Sequence, residues 1–299
     1  MPATGCGQFL PTVITDAPDA IERAFRTLAA AVDADPTLAA MIPGFHLEGP
    51  FISPFDGYRG AHPAAHVRDP DGELFGRWQA AAGGRIRLVT LAPERPEAIA
   101  LIERLTATGV IVAIGHTAAD ADTITAAADA GARLSTHLGN GMPATLPRHD
   151  NPIWPQLVED RLWASIIADG HHLPASVLRG IARLKTSDRL ILVSDASPLA
   201  GLPPGRYPLW GRDCDVSAGG RVGLTGTPYL AGGGVFLDAC VAGAVRLGGL
   251  TVEEAVTAAS VRPRDLLGLP VPTLEIGERA DLVLFDLSSD GVAVREVVG

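Results

Sequence analysis

Apolar runs with the character of buried strands alternate with amphipathic stretches along most of the chain. The strand-like runs stop at a glycine or a polar turn, and they cover residues 9–15, 43–49, 85–92, 109–115, 132–138, 162–169 and 189–195. Apolar residues at three-to-four spacing predict helices over residues 20–32, 96–109, 121–131, 175–184, 235–248 and 251–268. This alternation is typical of βα units that build a parallel sheet.

The length of the chain fits one large barrel with a small appendage. The chain has 299 residues, and an α/β barrel takes about 250 of them. A closed barrel of this kind has eight strands, and the strand that the pattern lacks should precede residue 9. We therefore predict a TIM-type (β/α)8 barrel over residues 1–268 with its first strand missing.

The pattern changes after the last of these strands. Residues 196–234 are rich in glycine and proline, which predicts loops and hairpins. Residues 269–299 alternate apolar and polar positions and then turn at Ser289-Asp290-Gly291. This tail predicts a small antiparallel β-element outside the barrel.

Side chains that can bind metal or move protons stand at the ends of five apolar runs. Glu48, His116, His137 and Asp195 each end such a run, and His172 follows the run IIADG. In a parallel barrel the strand ends converge on one face, where active sites form. Taken singly, each group is equally explained as a polar residue that ends its strand, and Asp195 as a helix N-cap.

Neutral imidazoles and a carboxylate suit a catalytic divalent-metal site of the zinc type. Glu48, His116 and His137 are therefore candidate metal ligands, and Asp195 is a candidate general base and then acid. His172 is a candidate to polarise a carbonyl or to bind a sugar hydroxyl. Arg148 lies in the polar loop PATLPRHDNP, where a guanidinium could clamp a phosphate, although a surface arginine fits the sequence equally well.

Composition and motifs exclude several other classes of protein. The net charge of −10 argues against general nucleic-acid binding. No apolar run approaches the roughly 18 residues that span a bilayer, and the first residues lack the features of a signal peptide, so we expect a cytoplasmic enzyme without a membrane partner. The three cysteines show no metal-binding spacing. Motifs of serine hydrolases, P-loop proteins and dinucleotide-binding proteins are absent from the sequence.

Eight segments resemble one family, the N-acetylglucosamine-6-phosphate deacetylases of the amidohydrolase superfamily. They read FLPTVIT, GFHLEGPFISP, YRGAHPAA, LVTLAPE, IVAIGHTAADAD, STHLGNGMP, SIIADGHH and LVSDA. The C-terminal LEIGERADLVLFD is also similar to that family. The likeness runs from about residue 5 to the end of the chain.

The resemblance implies one divalent metal ion per subunit, zinc or iron, with ligands Glu48, His116 and His137 and with Asp195 as the catalytic residue. The substrate contacts that it implies are His62, Asn140, Gly141, Arg148 and His172. The expected reaction is hydrolysis of the acetamide of N-acetylglucosamine 6-phosphate to acetate and glucosamine 6-phosphate. A homodimer is also implied, because in this family the arginine at the Arg148 position reaches the sugar phosphate in the neighbouring subunit's site.

The sequence departs from the family pattern at three places. It starts after the first barrel strand, which carries a His-x-His pair in members with two metals, so we expect a single-metal site. The family's small β-sandwich domain usually begins before that strand, so residues 269–299 are expected to be the remnant of such a domain. The family's N-A-M reads N-G-M at residues 140–142, and its substrate loop L-A-G-S reads L-A-G-G at residues 230–233, without the hydroxyl.

These departures leave two alternatives to the expected deacetylase. One is an amidohydrolase that acts on another N-acylated amine or sugar, because the substrate loop has lost its hydroxyl. The other is a catalytically impaired, truncated homologue, because the first barrel strand is missing.

Overall fold

A computed structural model describes residues 2–273, 275–277, 280–288 and 291–298. The chain divides into two compact units, Gln8–Trp163 and Met1–Gly7 together with Ala164–Gly299. The predicted division at residue 268 stays a prediction. No helix in the described part of the chain is both long enough and apolar enough to cross a membrane.

Parallel strands form the main sheet, and their order in the sheet follows the chain. They are β1 (Thr12–Ile14), β2 (Phe45–Glu48), β3 (Ile86–Leu91), β4 (Ile111–Ile114), β5 (Leu134–Ser135), β6 (Trp163–Ile166) and β7 (Leu190–Leu192). Each strand lies within one of the predicted runs. The predicted fold class, a parallel βα sheet of the barrel type with one strand fewer than eight and a C-terminal β-element, is confirmed.

Helices follow most of the strands. They are α1 (Pro18–Ala34), α2 (Pro36–Met41), α3 (Gly72–Ala81), α4 (Ala98–Ala107), α5 (Ala121–Asp129), α6 (Ile153–Val158), α7 (Ala175–Lys185), α8 (Leu237–Gly243) and α9 (Val252–Leu267). A π-helical turn, Ala244–Gly248, continues α8. The sequence pattern did not predict α2, α3 or α6.

The core of the first unit explains why these helices pack on the sheet. The apolar face of α1 is buried, and its Phe25 stacks on Phe45 of β2 with ring centroids 6.0 Å apart. Trp78 of α3 stacks on Phe51, and its indole N–H donates to the carbonyl of Pro18 at the start of α1. Burial of large aromatic side chains such as these dominates the stability of a core.

Strand register fixes which side chains share a face with Glu48. Glu48 is the register partner of Thr90, Thr90 of Ala113, and Ala113 of Leu134. Because register partners and residues two apart point to the same side of a sheet, these four side chains lie on one face.

The second unit contains β6 from Ala164 onward, β7 and two antiparallel elements. A three-stranded sheet with the order β10-β9-β8 consists of β8 (Gly205–Leu209), β9 (Arg212–Val216) and β10 (Val222–Leu224). The tail forms a hairpin of β11 (Leu282–Ser288) and β12 (Gly291–Val298), which confirms the predicted β-element. Of its predicted turn, Ser289 and Asp290 lie outside the described residues.

Candidate metal centre and active site

Three buried side chains from different strand ends converge in the first unit. Glu48 ends β2, while His116 and His137 each stand two residues beyond the ends of β4 and β5. The Nε2 atoms of His116 and His137 lie 2.9 and 3.1 Å from Glu48 Oε1, and 3.1 Å from each other. Such closely grouped nitrogen and oxygen donors form a possible metal site.

Backbone conformation directs the two histidines towards Glu48. His116 lies three residues beyond Ala113, and His137 lies three beyond Leu134, so an unbroken strand would turn both imidazoles to the face opposite Glu48. Both residues instead adopt a positive φ, 51° at His116 and 31° at His137. Such a conformation is strained for a residue with a Cβ, and this kind of strain is concentrated at functional sites.

The ring orientation of His116 is set by its surroundings. Its Nδ1 lies 2.9 Å from the carbonyl oxygen of Tyr58 and donates to it, so the neutral ring carries a lone pair on Nε2. The backbone N–H of Ser53 donates to the carbonyl of His116 at 2.9 Å, which holds the strained residue in place. Gly141 lies against the ring, and a Cβ at that position would be 2.8 Å from Nδ1.

The electrostatics of the cluster favour a charged carboxylate. Burial raises the pKa of Glu48, but its contacts with the imidazoles of His116, His137 and His62 outweigh this effect and hold that pKa well below its usual range. The site therefore combines an anionic oxygen with imidazole nitrogens, which is the donor set that a divalent cation such as zinc or iron prefers.

His62 also lies beside Glu48. Its Nδ1 is 2.8 Å from the hydroxyl of Thr15, its Nε2 is 3.7 Å from Glu48 Oε1, and its ring meets that of His116 edge-on at a centroid distance of 4.4 Å. Burial lowers the pKa of His62 to about 4, so its imidazole is neutral at physiological pH. Burial also lowers the pKa of the nearby His46 to about 4.

The other predicted contacts in this unit lie on the segment that follows β5. The side-chain amide of Asn140 donates to the carbonyl of His137 at 3.0 Å, so it closes the turn after that residue. Gly141 has a φ of 61° and packs on His116, as described above. Arg148 is exposed in the loop before α6.

Asp195 and His172 belong to the second unit. Asp195 stands three residues beyond β7 with a φ of 49°, and its carbonyl accepts a 2.6 Å hydrogen bond from the N–H of Gly233. A Cβ at Gly233 would be 2.2 Å from the carbonyl oxygen of Ser194. The serine of the family's loop therefore does not fit this backbone, in which the loop at Gly233 packs directly on the segment around Asp195.

The carboxylate of Asp169, which the sequence pattern did not indicate, holds His172. Asp169 Oδ2 accepts a 2.8 Å hydrogen bond from His172 Nδ1, and Asp169 Oδ1 accepts from the backbone N–H groups of His171 and His172. Burial raises the pKa of Asp169, but the bond with His172 outweighs it and leaves the pKa lowered. In the sequence, the three-residue spacing of Asp169 and His172 in ADGHH could have indicated this pair.

Comparisons with known proteins show the family of this chain. The model of the amidohydrolase family matches residues 1–298. The chain belongs to the amidohydrolase family. A bovine N-acetylglucosamine-6-phosphate deacetylase is 38% identical over 97% of this chain and 71% of its own length. An N-acetylgalactosamine-6-phosphate deacetylase from Escherichia coli O157:H7 is 33% identical over 98% of this chain and 76% of its own length.

Solved structures show the same amidohydrolase fold. A mutant of the Mycobacterium smegmatis N-acetyl-D-glucosamine-6-phosphate deacetylase, in complex with N-acetyl-D-glucosamine-6-phosphate, superposes with a TM-score of 0.88. It is 36% identical and covers 98% of this chain and 76% of its own. The amidohydrolase family is metal-dependent, and Glu48, His116 and His137 are the possible metal site of this member.

Proposed function

We propose that this protein is a metal-dependent N-acetylglucosamine-6-phosphate deacetylase. The observation that carries the proposal is the buried convergence of Glu48 Oε1 with His116 Nε2 and His137 Nε2, in a chain 38% identical to a deacetylase of that name. The reaction breaks the acetamide C–N bond and forms a C–O bond from water, which yields acetate and glucosamine 6-phosphate.

Glu48, His116 and His137 would hold one divalent ion, zinc or iron, in each subunit. When bound, such an ion supplies a Lewis acid that activates water and the substrate carbonyl near neutral pH. The tautomer of His116 supports this role. Its Nδ1 donates to the carbonyl of Tyr58, which leaves on Nε2 a lone pair that can coordinate the ion.

The remaining residues would move the proton and hold the substrate. Asp195 takes a proton from the attacking water and delivers it to the leaving amine nitrogen. His172 is held through Nδ1 by Asp169, which leaves Nε2 to contact the substrate. His62, Asn140 and Gly141 line the substrate site in this proposal.

We also propose a cytoplasmic homodimer in which Arg148 binds the sugar phosphate in the partner's site. The exposure of Arg148 on its loop supports this role. Replacement of Arg148 by alanine should raise the KM for the phosphorylated sugar and leave the KM for the unphosphorylated sugar unchanged.

A second candidate function is deacetylation of a different N-acetylated sugar phosphate. It is favoured by the N-acetylgalactosamine-6-phosphate deacetylase from E. coli O157:H7, which is 33% identical to this chain, and by the glycine at position 233. The deciding measurement is kcat/KM for N-acetylglucosamine 6-phosphate, N-acetylgalactosamine 6-phosphate and N-acetylglucosamine. The proposal expects the first to be the best substrate by about tenfold or more, which corresponds to about 1.4 kcal/mol.

Replacement of Glu48 by glutamine tests the role of the three converging groups. We expect loss of bound metal and a fall in kcat/KM of more than about 100-fold, because the carboxylate among the three donors is replaced by a neutral amide. Glu103→Gln is the matched control, since Glu103 is exposed on α4, and it should retain both metal and activity. Full activity of Glu48→Gln would overturn the proposal.

A further inference from the structure

A chain of side-chain hydrogen bonds runs between the strands that carry the three proposed metal ligands. It joins Thr12 of β1, His46 of β2, Thr90 of β3 and Thr136, which follows β5. Thr12 Oγ1 lies 3.1 Å from His46 Nδ1, His46 Nε2 lies 2.8 Å from Thr90 Oγ1, and Thr90 Oγ1 lies 2.8 Å from Thr136 Oγ1. His46 and Thr90 are buried.

The donors and acceptors of this relay fit one consistent direction. The hydroxyl of Thr12 donates to the carbonyl of Leu10, so its oxygen is free to accept from His46 Nδ1–H. A neutral imidazole that donates through Nδ1 accepts at Nε2. Thr90 then donates to His46 Nε2 and accepts from the hydroxyl of Thr136. Each hydrogen bond of the relay therefore has one donor and one acceptor.

Gly115 is the residue that lets the relay cross β4. Thr90 lies in β3 and Thr136 directly follows β5, the two strands that flank β4, and Gly115 directly follows the last residue of β4. A Cβ at position 115 would be 2.8 Å from both Thr136 Cβ and Thr90 Cγ2. A side chain there would separate the two hydroxyls, which are in direct contact because none is present.

Two members of the relay, and the glycine that it passes, are one or two residues from a proposed metal ligand. His46 precedes Glu48 by two positions on the same face of β2, Gly115 directly precedes His116, and Thr136 directly precedes His137. We propose that the Thr12–His46–Thr90–Thr136 relay fixes the spacing of these strand ends and so holds the three donor atoms in position for the metal. His46 and Thr90 are thus positioning residues, and the inference rests on the proposed metal centre.

The strained backbone at His116 and His137 supports a positioning role for the relay. His116 and His137 leave their strands in a conformation that a free chain would avoid. Hydrogen bonds between buried groups resist rearrangement, because breaking one leaves a polar atom without a partner. The relay therefore stiffens the sheet on the side where the two histidines must stay converged.

The test is the metal affinity of a matched pair of variants at Thr90. Thr90→Val keeps the shape of the side chain but removes its hydroxyl, whereas Thr90→Ser keeps the hydroxyl and removes a methyl group. Metal-free protein is titrated with Zn²⁺ against a competing chelator, and with Co²⁺ to record the ligand-field absorption spectrum. Unfolding of the metal-free proteins by denaturant is measured in parallel.

We expect Thr90→Val to bind Zn²⁺ about tenfold or more weakly than wild type and to show an altered Co²⁺ spectrum. Thr90→Ser should stay within about twofold of wild type and keep its spectrum. If Thr90→Val loses stability but binds Zn²⁺ as tightly as wild type, the relay has only a structural role and the inference is overturned.

Two further outcomes keep the inference separate from the proposed function. If wild type itself fails to bind a stoichiometric divalent ion, the proposed metal centre is overturned, and the relay inference falls with it. If Thr90→Val does not fold, Thr12→Val removes the hydroxyl at the exposed end of the relay. Weaker Zn²⁺ binding by Thr12→Val supports the inference, and unchanged binding overturns it.

Discussion

The Nε2 atoms of His116 and His137 lie 3.1 Å apart, although each histidine follows a strand whose alternation would direct it away from Glu48. The positive φ of both residues reverses that direction. The convergence of these two candidate ligands on Glu48 is therefore achieved by a local break at the end of each strand. This arrangement places strain at two of the candidate ligands and leaves the register between β4 and β5 regular.

Asp169 should matter for turnover because it orients His172. Replacement of Asp169 by asparagine removes the negative charge that faces His172 Nδ1 at 2.8 Å. We expect kcat for the acetylated sugar phosphate to fall by about 100-fold, while the metal content stays at the wild-type value. Asp188→Asn is the matched control, because Asp188 is exposed and pairs with Arg262; an equal loss in both variants would contradict the role given to Asp169.

Asp169 should also contribute to stability in a pH-dependent way. Its pKa is lowered in the folded protein from an ordinary value of 3.8, so its contribution is fully present above that value and is lost as the pH falls through the folded-state pKa. We expect the difference in unfolding free energy between wild type and Asp169→Asn to be constant near neutral pH and to shrink below about pH 4. Denaturant unfolding of both proteins from pH 7 to pH 3 measures it, and a difference that grows with acid would contradict the pairing.

Two glycines should respond to alanine in opposite ways. Gly243 ends α8 so close to another segment that a Cβ would be 1.7 Å from the carbonyl oxygen of Ala168, and Gly243→Ala should be strongly destabilising. Gly180 lies within α7 with nothing near its Cβ position, and Gly180→Ala should stabilise by about 1 kcal/mol through helix propensity. Thermal unfolding of both variants checks this, and a stable Gly243→Ala protein would contradict the packing described for α8.

The cysteines should be unreactive in the folded protein. Cys6, Cys214 and Cys240 are buried, burial raises the pKa of Cys214, and burial raises the pKa of Cys240 to about 12. Since the thiolate is the reactive form, a disulfide reagent should modify these residues slowly at neutral pH and modify all three after denaturation. Rapid reaction of Cys240 in the native protein would contradict its environment.

Sequence patterns predicted the parallel sheet because its strands are continuous apolar runs that end at glycines or polar turns. They also indicated Glu48, His116 and His137, because metal-binding side chains at strand ends converge in such a sheet. The roles of these residues stay predictions, and so do those of Asp195 and the substrate contacts. The positive φ of His116 and His137 could not be predicted, because most histidines have a negative φ and the sequence does not mark which of them depart from it.

Other features could not be predicted from local sequence patterns. Helix α3 contains Gly72 and Gly76, which are weak helix formers, and its start was marked only by Asp71, whose carboxylate accepts from the N–H groups of Glu73 and Leu74. By contrast, the glycine-rich stretch after Asp195 was predicted as loops and hairpins, and the antiparallel pairs β8–β9 and β9–β10 confirm the hairpins. The relay through His46 was hidden because its partners are separated in the sequence.

Metal-dependent release of acetate tests the central proposal most directly. Metal-free protein is incubated with N-acetylglucosamine 6-phosphate while Zn²⁺ or Fe²⁺ is titrated, and acetate and glucosamine 6-phosphate are quantified together. The account predicts equal amounts of both products, with activity that saturates at one metal ion per subunit and is abolished in Asp195→Asn. Absence of turnover with either ion, or full turnover without metal, would contradict it.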